Sequence, residues 1–178
     1  MHCKNNIVYG LKGRRMKRDL TKALTNSPIF GGIRPNTLKL LLDNAQVIKK
    51  NKNQYFFKEN DIAESLFVLL NGQVEIQKSW QGKSYQISYL MAGDCFGEMP
   101  IIDHCTRSAS VLAQDTCEAI EFNVECFNQI YQQDIKQYSL LQMNLGREVS
   151  RRLREANELL FQKNILNDLN DNIYPTTT

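Results

Sequence analysis

The chain has 178 residues, of which 42% are hydrophobic and 23% are charged, and its formal net charge is +3. This length predicts one domain with an appended helix, and the charge is too small to indicate nucleic-acid binding by itself. The sequence contains no apolar run of about 18 residues and no signal-peptide core, so no membrane span or secretion is predicted. The five cysteines form no Cys-x-x-Cys pair and are odd in number, which favours free thiols in a reducing cytoplasm.

The N-terminal part of the chain predicts a short helical lead. Residues 1–15 show no sustained periodicity, and we expect them to be poorly ordered. A basic cluster follows, which indicates the solvated face of a helix start, with a membrane or nucleic-acid contact as the alternative: Lys12, Arg14, Arg15, Lys17 and Arg18. Residues 16–25 predict one or two helical turns that Ser27-Pro28 breaks. Pro35 then opens a second helix that ends near Asn44.

From Gln46 the hydrophobic period changes to that of strands, and about eight short strands follow. They are separated by turn signals, among which Asn71-Gly72 is the strongest short hairpin signal. A loop around 80–82 and a turn at Gly93-Asp94 connect later strands, and the last two strands end near Phe122. This pattern predicts a mainly β fold, a closed or nearly closed β-roll with flanking helices.

The C-terminal part predicts two helices, one over 124–131 and a long one over 135–161. Val149, Leu153, Ala156 and Leu160 form a short heptad seam on the long helix, which packs either on its own roll or on a second subunit. Glu148 and Arg152 have the spacing of an i,i+4 ion pair. We expect the β-roll and its N-terminal helices over 16–133, the C-terminal helix over 134–163, and a frayed polar tail over 164–178.

Residues 96–110 carry the chemistry of a charged ligand site and contain the only helical interruption among the later strands. Gly97 permits close backbone approach, and free N–H groups at the start of the short helix after Glu98 favour an anion. The Glu98 carboxylate suits sugar hydroxyls, and the planar guanidinium of Arg107 suits a phosphate. Taken alone, Glu98 also fits a helix N-terminal carboxylate, and Arg107 fits a surface ion pair with Asp103. Together they predict a sugar phosphate or nucleotide.

Phe96-Gly97-Glu98, a short apolar helix and Arg107-Ser108-Ala109-Ser110 resemble the phosphate-binding cassette of cyclic nucleotide-binding domains. The preceding segment 82–99 is also similar to that of bacterial activators of this family. The resemblance implies a cyclic nucleotide-binding β-roll with an N-terminal helical element and a long C-terminal helix. It implies that Glu98 and the Gly97 N–H bind the ribose 2′-hydroxyl, and that Arg107 and Ser108 bind the cyclic phosphate. The implied site residues are Gly97, Glu98, Met99, Arg107, Ser108 and Ala109.

The resemblance implies a regulatory module that senses cAMP, with cGMP as the other possibility, and relays binding through its flanking helices to a partner or second subunit. In the family, the long helix implies either a lid over the base or a dimer interface. Pro100 departs from the family pattern, because proline lacks the N–H that is implied to face the phosphate. It is the main support for the alternative, a silent β-roll that serves as a dimerisation or interaction module.

Other functional classes fit the sequence less well. A cupin-type β-roll enzyme needs clustered histidines for a metal, and this chain has only His2 and His104; we therefore expect neither catalysis nor a metal. His104 beside Cys105 lacks a third orienting group for nucleophilic chemistry. Only 18 residues follow Leu160, too few for the DNA-reading element of activator proteins, so we expect no direct DNA binding.

Overall fold

The computed structural model describes residues 7–10 and 14–173, and it describes side chains from residue 19 to residue 167. The strands in these residues are β1 (Ile7–Gly10), β2 (Gln46–Lys50), β3 (Tyr55–Phe57), β4 (Ser65–Asn71), β5 (Gln73–Trp80), β6 (Lys83–Met91), β7 (Cys95–Phe96), β8 (Ser110–Ala113) and β9 (Cys117–Asn123). The helices are α1 (Arg14–Thr25), α2 (Pro35–Asp43), α3 (Met99–Asp103), α4 (Val124–Gln133) and α5 (Ile135–Ile173), with a 3₁₀ turn at Pro28–Phe30.

The strands form two antiparallel sheets, which confirms the predicted mainly β roll with flanking helices. One sheet has the order β1-β2-β9-β4-β7, and the other has the order β3-β8-β5-β6. Neighbours in each sheet are often distant in sequence, so the chain crosses repeatedly between the two sheets. Because β7 ends at Phe96 and β8 begins at Ser110, the segment 96–110, called the cassette below, is one of the connections between the two sheets, and α3 lies within it.

Two apolar clusters hold this arrangement. The inner cluster fills the roll, with Phe67, Phe96 and Val111 among its buried members. The outer cluster lies between the first sheet and the helices, and Leu38, Phe122 and Leu141 belong to it. Alternate residues of a strand point to opposite faces, so β4 contributes Leu66 and Val68 to the outer cluster and Phe67 and Leu69 to the inner one.

The Asn71-Gly72 turn is not a hairpin, which corrects the sequence prediction. β4 and β5 lie in different sheets, so the turn carries the chain from one sheet to the other. Gly72 has φ +90°, and a Cβ there would contact Thr116 O at 2.9 Å. The glycine is required for this close approach and left-handed backbone, and these needs produce the same sequence signal as a hairpin turn.

The hairpin instead lies at Gln81-Gly82, where the sequence indicated only a loop. These residues have φ +49° and +76°, and Trp80 pairs with Lys83 directly across the turn. Two successive positive φ angles are the backbone of a type I′ turn, which suits the twist of a two-residue hairpin. β5 and β6 therefore form a long ribbon at one edge of the second sheet.

The chain ends also differ from expectation. Ile7–Gly10 form β1 and pair with Lys49–Gln46 of β2, although the sequence indicated no regular structure in residues 1–15. Four residues on a sheet edge are too few for a periodic signal. The side chains of the basic cluster lie outside the described residues. At the other end, α5 continues to Ile173, where we expected a helix end near 161 and a frayed tail; no proline or glycine interrupts the chain between these points.

The described part of the chain contains four free thiols, those of Cys95, Cys105, Cys117 and Cys126. Cys105 is exposed and the other three are buried, which agrees with the prediction of unpaired cysteines for these positions. Among the residues that the structure describes, no helix combines the length and apolarity needed to cross a membrane.

Candidate functional site

A cavity of about 440 Å³ opens between the cassette, the β5–β6 ribbon and α5. All six residues predicted for the site line this cavity: Gly97, Glu98, Met99, Arg107, Ser108 and Ala109. The opposite wall is supplied by α5, for which the resemblance implied a lid as one of two alternatives without naming its residues: Arg151, Arg152, Glu155, Ala156 and Leu159. The cavity therefore has a wall made of strands and cassette, and a second wall made of one helix.

Arg107 is buried, with 4% of its surface exposed, and forms no ion pair within the described residues. Its Nη1 donates to Gly97 O at 2.8 Å, and its Nη2 donates to the Ser65 hydroxyl at 3.3 Å. The guanidinium carbon lies 4.0 Å from the centre of the Phe57 ring, a cation–π contact that fixes its plane. Burial lowers the pKa of Arg107 to about 10, so the group is cationic at neutral pH.

The Nε of Arg107 is buried and has no hydrogen-bond partner among the described residues. An orphaned buried donor on a charged group is costly, and an anion in the cavity is the partner that relieves this cost. The alternative considered for Arg107 alone, a surface ion pair with Asp103, does not form, and the Asp103 carboxylate accepts from the Cys105 backbone N–H. The burial and orphaned donor of Arg107 fit a phosphate.

Gly97 allows Arg107 to take this position. It has φ +74°, and a Cβ added to it would collide with Arg107 Nη1 and lie 3.1 Å from Phe57. The sequence analysis assigned the glycine to close approach by a ligand. The structure shows that the guanidinium of Arg107 itself fills the space beside Gly97, so the residue type is fixed by this side chain as well as by the left-handed backbone.

Glu98 is as buried as Arg107, with 4% of its surface exposed, and its side chain forms no cap hydrogen bond at α3. Its partner is Arg152 of α5, whose Nη1 donates to Glu98 Oε1 at 3.1 Å. Arg152 also donates from Nη2 to Cys95 O at 2.5 Å and from Nε to Glu148 Oε1 at 2.8 Å. Arg152 therefore ties α5 to the cassette through three acceptors.

The two carboxylates around Arg152 overcome its burial. Burial by itself lowers the pKa of Arg152, but Glu98, Cys95 and Glu148 raise it, and the net shift of the pKa is upward. The predicted i,i+4 pair between Glu148 and Arg152 is confirmed at 2.8 Å. Glu148 also accepts a hydrogen bond from Arg151. This bond is the main reason why the pKa of Glu148 lies below its usual range.

The remaining cassette residues shape the opening. The Ser108 hydroxyl lies 3.4 Å from the Met99 sulfur, and Ala109 keeps the wall beside Arg107 small. Pro100 is in the first turn of α3, a position where proline is well tolerated. His104 follows the last residue of α3 with φ +59°. Cys95 lies in β7, in contact with Arg152. Burial raises the pKa of its thiol to about 12, so Cys95 is not a thiolate at neutral pH.

The sequence profile of the cyclic nucleotide-binding domain matches residues 47–134. Residues 47–134 belong to the cyclic nucleotide-binding domain family. The matched range begins in β2 and ends just before α5, so it contains the whole cassette wall of the cavity and excludes the helical wall.

This cyclic nucleotide-binding domain is 29% identical over 134 residues to the cyclic AMP receptor protein of Thermus thermophilus, and the match covers 75% of this chain and 60% of that protein. The chain therefore spans less than two thirds of the length of this relative. The crystal structure of the Thermus thermophilus catabolite activator protein has a TM-score of 0.66 at 27% identity, and the match covers 78% of this chain and 63% of that chain. A cyclic nucleotide-binding domain from Methylobacillus flagellatus has a TM-score of 0.75 at 21% identity, covering 88% and 89% of the two chains, which shows the shared fold.

Two further features of the site escaped the sequence analysis. Arg152 was identified only as the partner of Glu148, because its contact with Glu98 joins residues 54 positions apart. Ser65 gave no signal beyond its place at the start of a strand, yet its hydroxyl contacts Arg107. The available hint was a small polar residue, Ser65, directly before an otherwise apolar strand.

Proposed function

We propose that this protein is a regulatory module that binds a cyclic nucleotide, with cAMP favoured over cGMP, in the cavity between the cassette and α5. The observation that carries the proposal is the buried Arg107, whose charge meets no carboxylate directly within the described residues and whose Nε lacks a partner. A cyclic phosphate supplies both the missing negative charge and acceptor oxygens. The role is binding rather than catalysis, and the proposed location is the cytoplasm.

The proposed ligand contacts follow the chemistry of the two cassette ends. Arg107, with the Ser108 hydroxyl and backbone, takes the phosphate, and Met99 and Ala109 close the wall around it. Glu98 and the Gly97 N–H take the ribose 2′-hydroxyl. A carboxylate accepts hydrogen bonds at both oxygens; Arg152 occupies Oε1 of Glu98, so we place the ribose hydroxyl at Oε2.

The base is proposed to lie between the β-roll and α5. Apolar side chains of the roll, including Ile76 and Val111, face Ala156 and Leu159 of the helix across the cavity. A flat heterocycle fits between these two apolar walls because both faces of its ring are apolar. In this arrangement α5 acts as a lid, and cAMP is preferred because the cyclic AMP receptor protein is among the relatives that match over most of this chain.

The relay is proposed to run through α5. Ligand binding changes the position of a helix only if the ligand binds one arrangement better than another. Glu98 contacts Arg152 in the structure, so a ribose hydroxyl at Glu98 acts on the group that ties α5 to the cassette. A protein partner or second subunit in contact with α5 would respond to the resulting change.

A second copy of the chain is the proposed partner of α5. Leu153 and Leu160 of the predicted seam are each 59% exposed, and Phe161 beside them is 60% exposed. These positions are therefore not packed on the roll, although Ala156 of the seam lines the cavity. We expect a mass of twice the single chain in light scattering, and Leu153→Glu should shift it to the single-chain mass because it places a charge in the seam. A single-chain mass for the unmodified protein at all concentrations would contradict the dimer.

Titration calorimetry with cAMP and then cGMP tests the proposed binding. We expect micromolar or tighter binding, and Arg107→Ala should weaken it by about 2–5 kcal/mol because a buried phosphate loses its charged partner. Arg154→Ala is the matched control, since it removes the same charge from an exposed position on α5. Equal affinities in the two variants would remove the assignment of Arg107, and no binding by the unmodified protein would favour the silent interaction module.

A further inference from the structure

Ser65 and Glu121 are polar residues on the sheet face that points into the roll. Strand neighbours two positions away, Phe67 on β4 and Ala119 on β9, belong to the buried inner cluster, and side chains with this spacing share a face. Ser65 is 7% exposed and Glu121 is half-buried. A carboxylate on an inward-facing position is costly unless it is hydrogen-bonded, so its partners indicate why it is tolerated there.

A line of hydrogen bonds connects this pair to the cavity. Arg107 Nη2 donates to Ser65 Oγ at 3.3 Å, and Ser65 Oγ donates to Glu121 Oε1 at 2.8 Å. The other oxygen, Glu121 Oε2, accepts from Gln46 Nε2 at 2.6 Å. The line crosses β4, β9 and β2 of one sheet, so it is supported by three neighbouring strands.

The direction of these bonds follows from the chemistry of a hydroxyl. Ser65 has one proton to donate, and an ionised carboxylate only accepts. The Ser65 proton therefore goes to Glu121, and an oxygen lone pair of Ser65 remains for Arg107. Without Glu121 the hydroxyl is free to rotate, and its proton can point toward the guanidinium, where it repels rather than holds it.

The hydrogen bond from Arg107 to Ser65 adds a third contact that fixes the guanidinium. Gly97 O holds Nη1, and the Phe57 ring fixes the plane of the guanidinium. Ser65 holds the second terminal nitrogen, so both ends of the fork are fixed. Glu121 is also the charged group that most favours the cationic form of Arg107 against burial, by direct electrostatic attraction, although its carboxylate forms no ion pair with Arg107 and instead accepts from Ser65 and Gln46.

We propose that Ser65 and Glu121 are positioning residues that hold Arg107 charged and oriented in the cavity before a ligand arrives. This inference depends on the proposed function in one respect only: if a phosphate binds, an Arg107 side chain that is already positioned loses less conformational entropy on binding. The positioning itself is a property of the ligand-free protein. It can therefore be measured whether or not a cyclic nucleotide binds.

The deciding experiment is NMR of the ligand-free protein with ¹⁵N-labelled arginine, measuring hydrogen exchange of the Arg107 Nε–H. The signal is assigned by its loss in Arg107→Lys. Ser65→Ala should accelerate this exchange by about tenfold, because one hydrogen bond to a charged group is removed. Glu121→Gln should accelerate it by a smaller factor, and the double variant should add little to Ser65→Ala, since the hydrogen bonds connect Glu121 to Arg107 only through Ser65.

Glu118→Gln is the matched control, because it removes the same charge from the same strand at a residue paired with Lys49 instead. Ser65→Thr, which keeps the hydroxyl, should restore slow exchange. Unchanged exchange in Ser65→Ala, or equal acceleration in Glu118→Gln and Glu121→Gln, would overturn the inference. If Ser65→Ala does not fold, Glu121→Gln against Glu118→Gln decides the question in the same way.

Calorimetry then separates this inference from the proposed function. If the unmodified protein binds cAMP, Ser65→Ala should weaken binding by about tenfold, while Glu118→Gln should not change it. If the unmodified protein binds neither cAMP nor cGMP, the proposed function fails, and the exchange rates alone support or overturn the positioning of Arg107.

Discussion

The two walls of the cavity each present an arginine, buried in the case of Arg107 and partly buried in the case of Arg152, and the two side chains are held in opposite ways. Arg107 of the cassette is held by a carbonyl, a hydroxyl and an aromatic ring. Arg152 of α5 is held by the carboxylates of Glu98 and Glu148. The pKa of Arg107 is lowered by burial, whereas the pKa of Arg152 is raised despite burial. Only the arginine without a carboxylate has its charge available for a ligand.

The difference assigns different tasks to residues of the same type. A guanidinium already paired with two carboxylates gains little from a phosphate, because its charge is compensated. It serves instead to fasten a helix. The cassette arginine is anchored by neutral groups that fix its position and leave its charge uncompensated. Counting basic residues in a cavity is therefore a poor guide to where an anion binds; their existing partners decide.

Arg152→Ala tests the fastening role and should have the largest effect on stability. It leaves the buried carboxylates of Glu98 and Glu148 with less compensation, and we expect the free energy of unfolding to fall by about 1–3 kcal/mol. Hydrogen exchange in the part of α5 that faces the cavity should also accelerate. Chemical denaturation with Arg154→Ala as control measures the effect, and equal stability of the two variants would show that α5 is held by other contacts.

Gly97→Ala tests whether the cassette wall depends on the position of Arg107. A Cβ at this residue collides with Arg107 Nη1, and the left-handed backbone costs a further 1–2 kcal/mol, roughly. We expect lower stability together with weaker cAMP binding. Gly93→Ala is the control, because Gly93 has φ +99° with nothing within 4 Å of its added Cβ. A similar loss of affinity in both variants would mean that backbone strain, and not Arg107, is responsible.

Acid should weaken the helical wall, with the smallest effect of the three. The pKa of Glu148 lies below its ordinary value of 4.5, first because of the hydrogen bond from Arg151. A lowered carboxylate pKa stabilises the fold above that ordinary value, and the stabilisation is lost as pH falls through the lowered pKa. Melting temperatures between about pH 7 and 3 should therefore decline less steeply in Glu148→Gln, and parallel curves would contradict this role.

The sequence predicted the cassette wall well because its determinants are local. Gly97 and Glu98 are adjacent, Arg107 is near them in sequence, and their types follow from backbone freedom, hydrogen bonding and charge. The β-roll was predictable for the same reason, since alternation and turns are read within a few residues. The residues of the helical wall could not be predicted in this way, because the contact between Arg152 and Glu98 depends on how α5 crosses the roll.

The errors have physical causes of the same kind. Asn71-Gly72 and Gln81-Gly82 both need positive φ at the glycine, and the sequence does not say whether the strands on either side pair with each other. β1 is too short for a pattern, and its pairing with β2 is a tertiary contact. Ser65 and Glu121 look like ordinary polar interruptions of strands until three strands bring them beside Arg107.

The unbroken course of α5 has a geometric consequence. The helix has 39 residues, so at 1.5 Å per residue it is about 58 Å long. It begins beside α4 at Ile135, and the stretch from there to Leu166 measures about 46 Å. A rigid rod of that length that tilts by about 5° at its base shifts its far end by about 4 Å. A change of a fraction of an ångström near the base thus becomes a displacement the width of a side chain at the distal end.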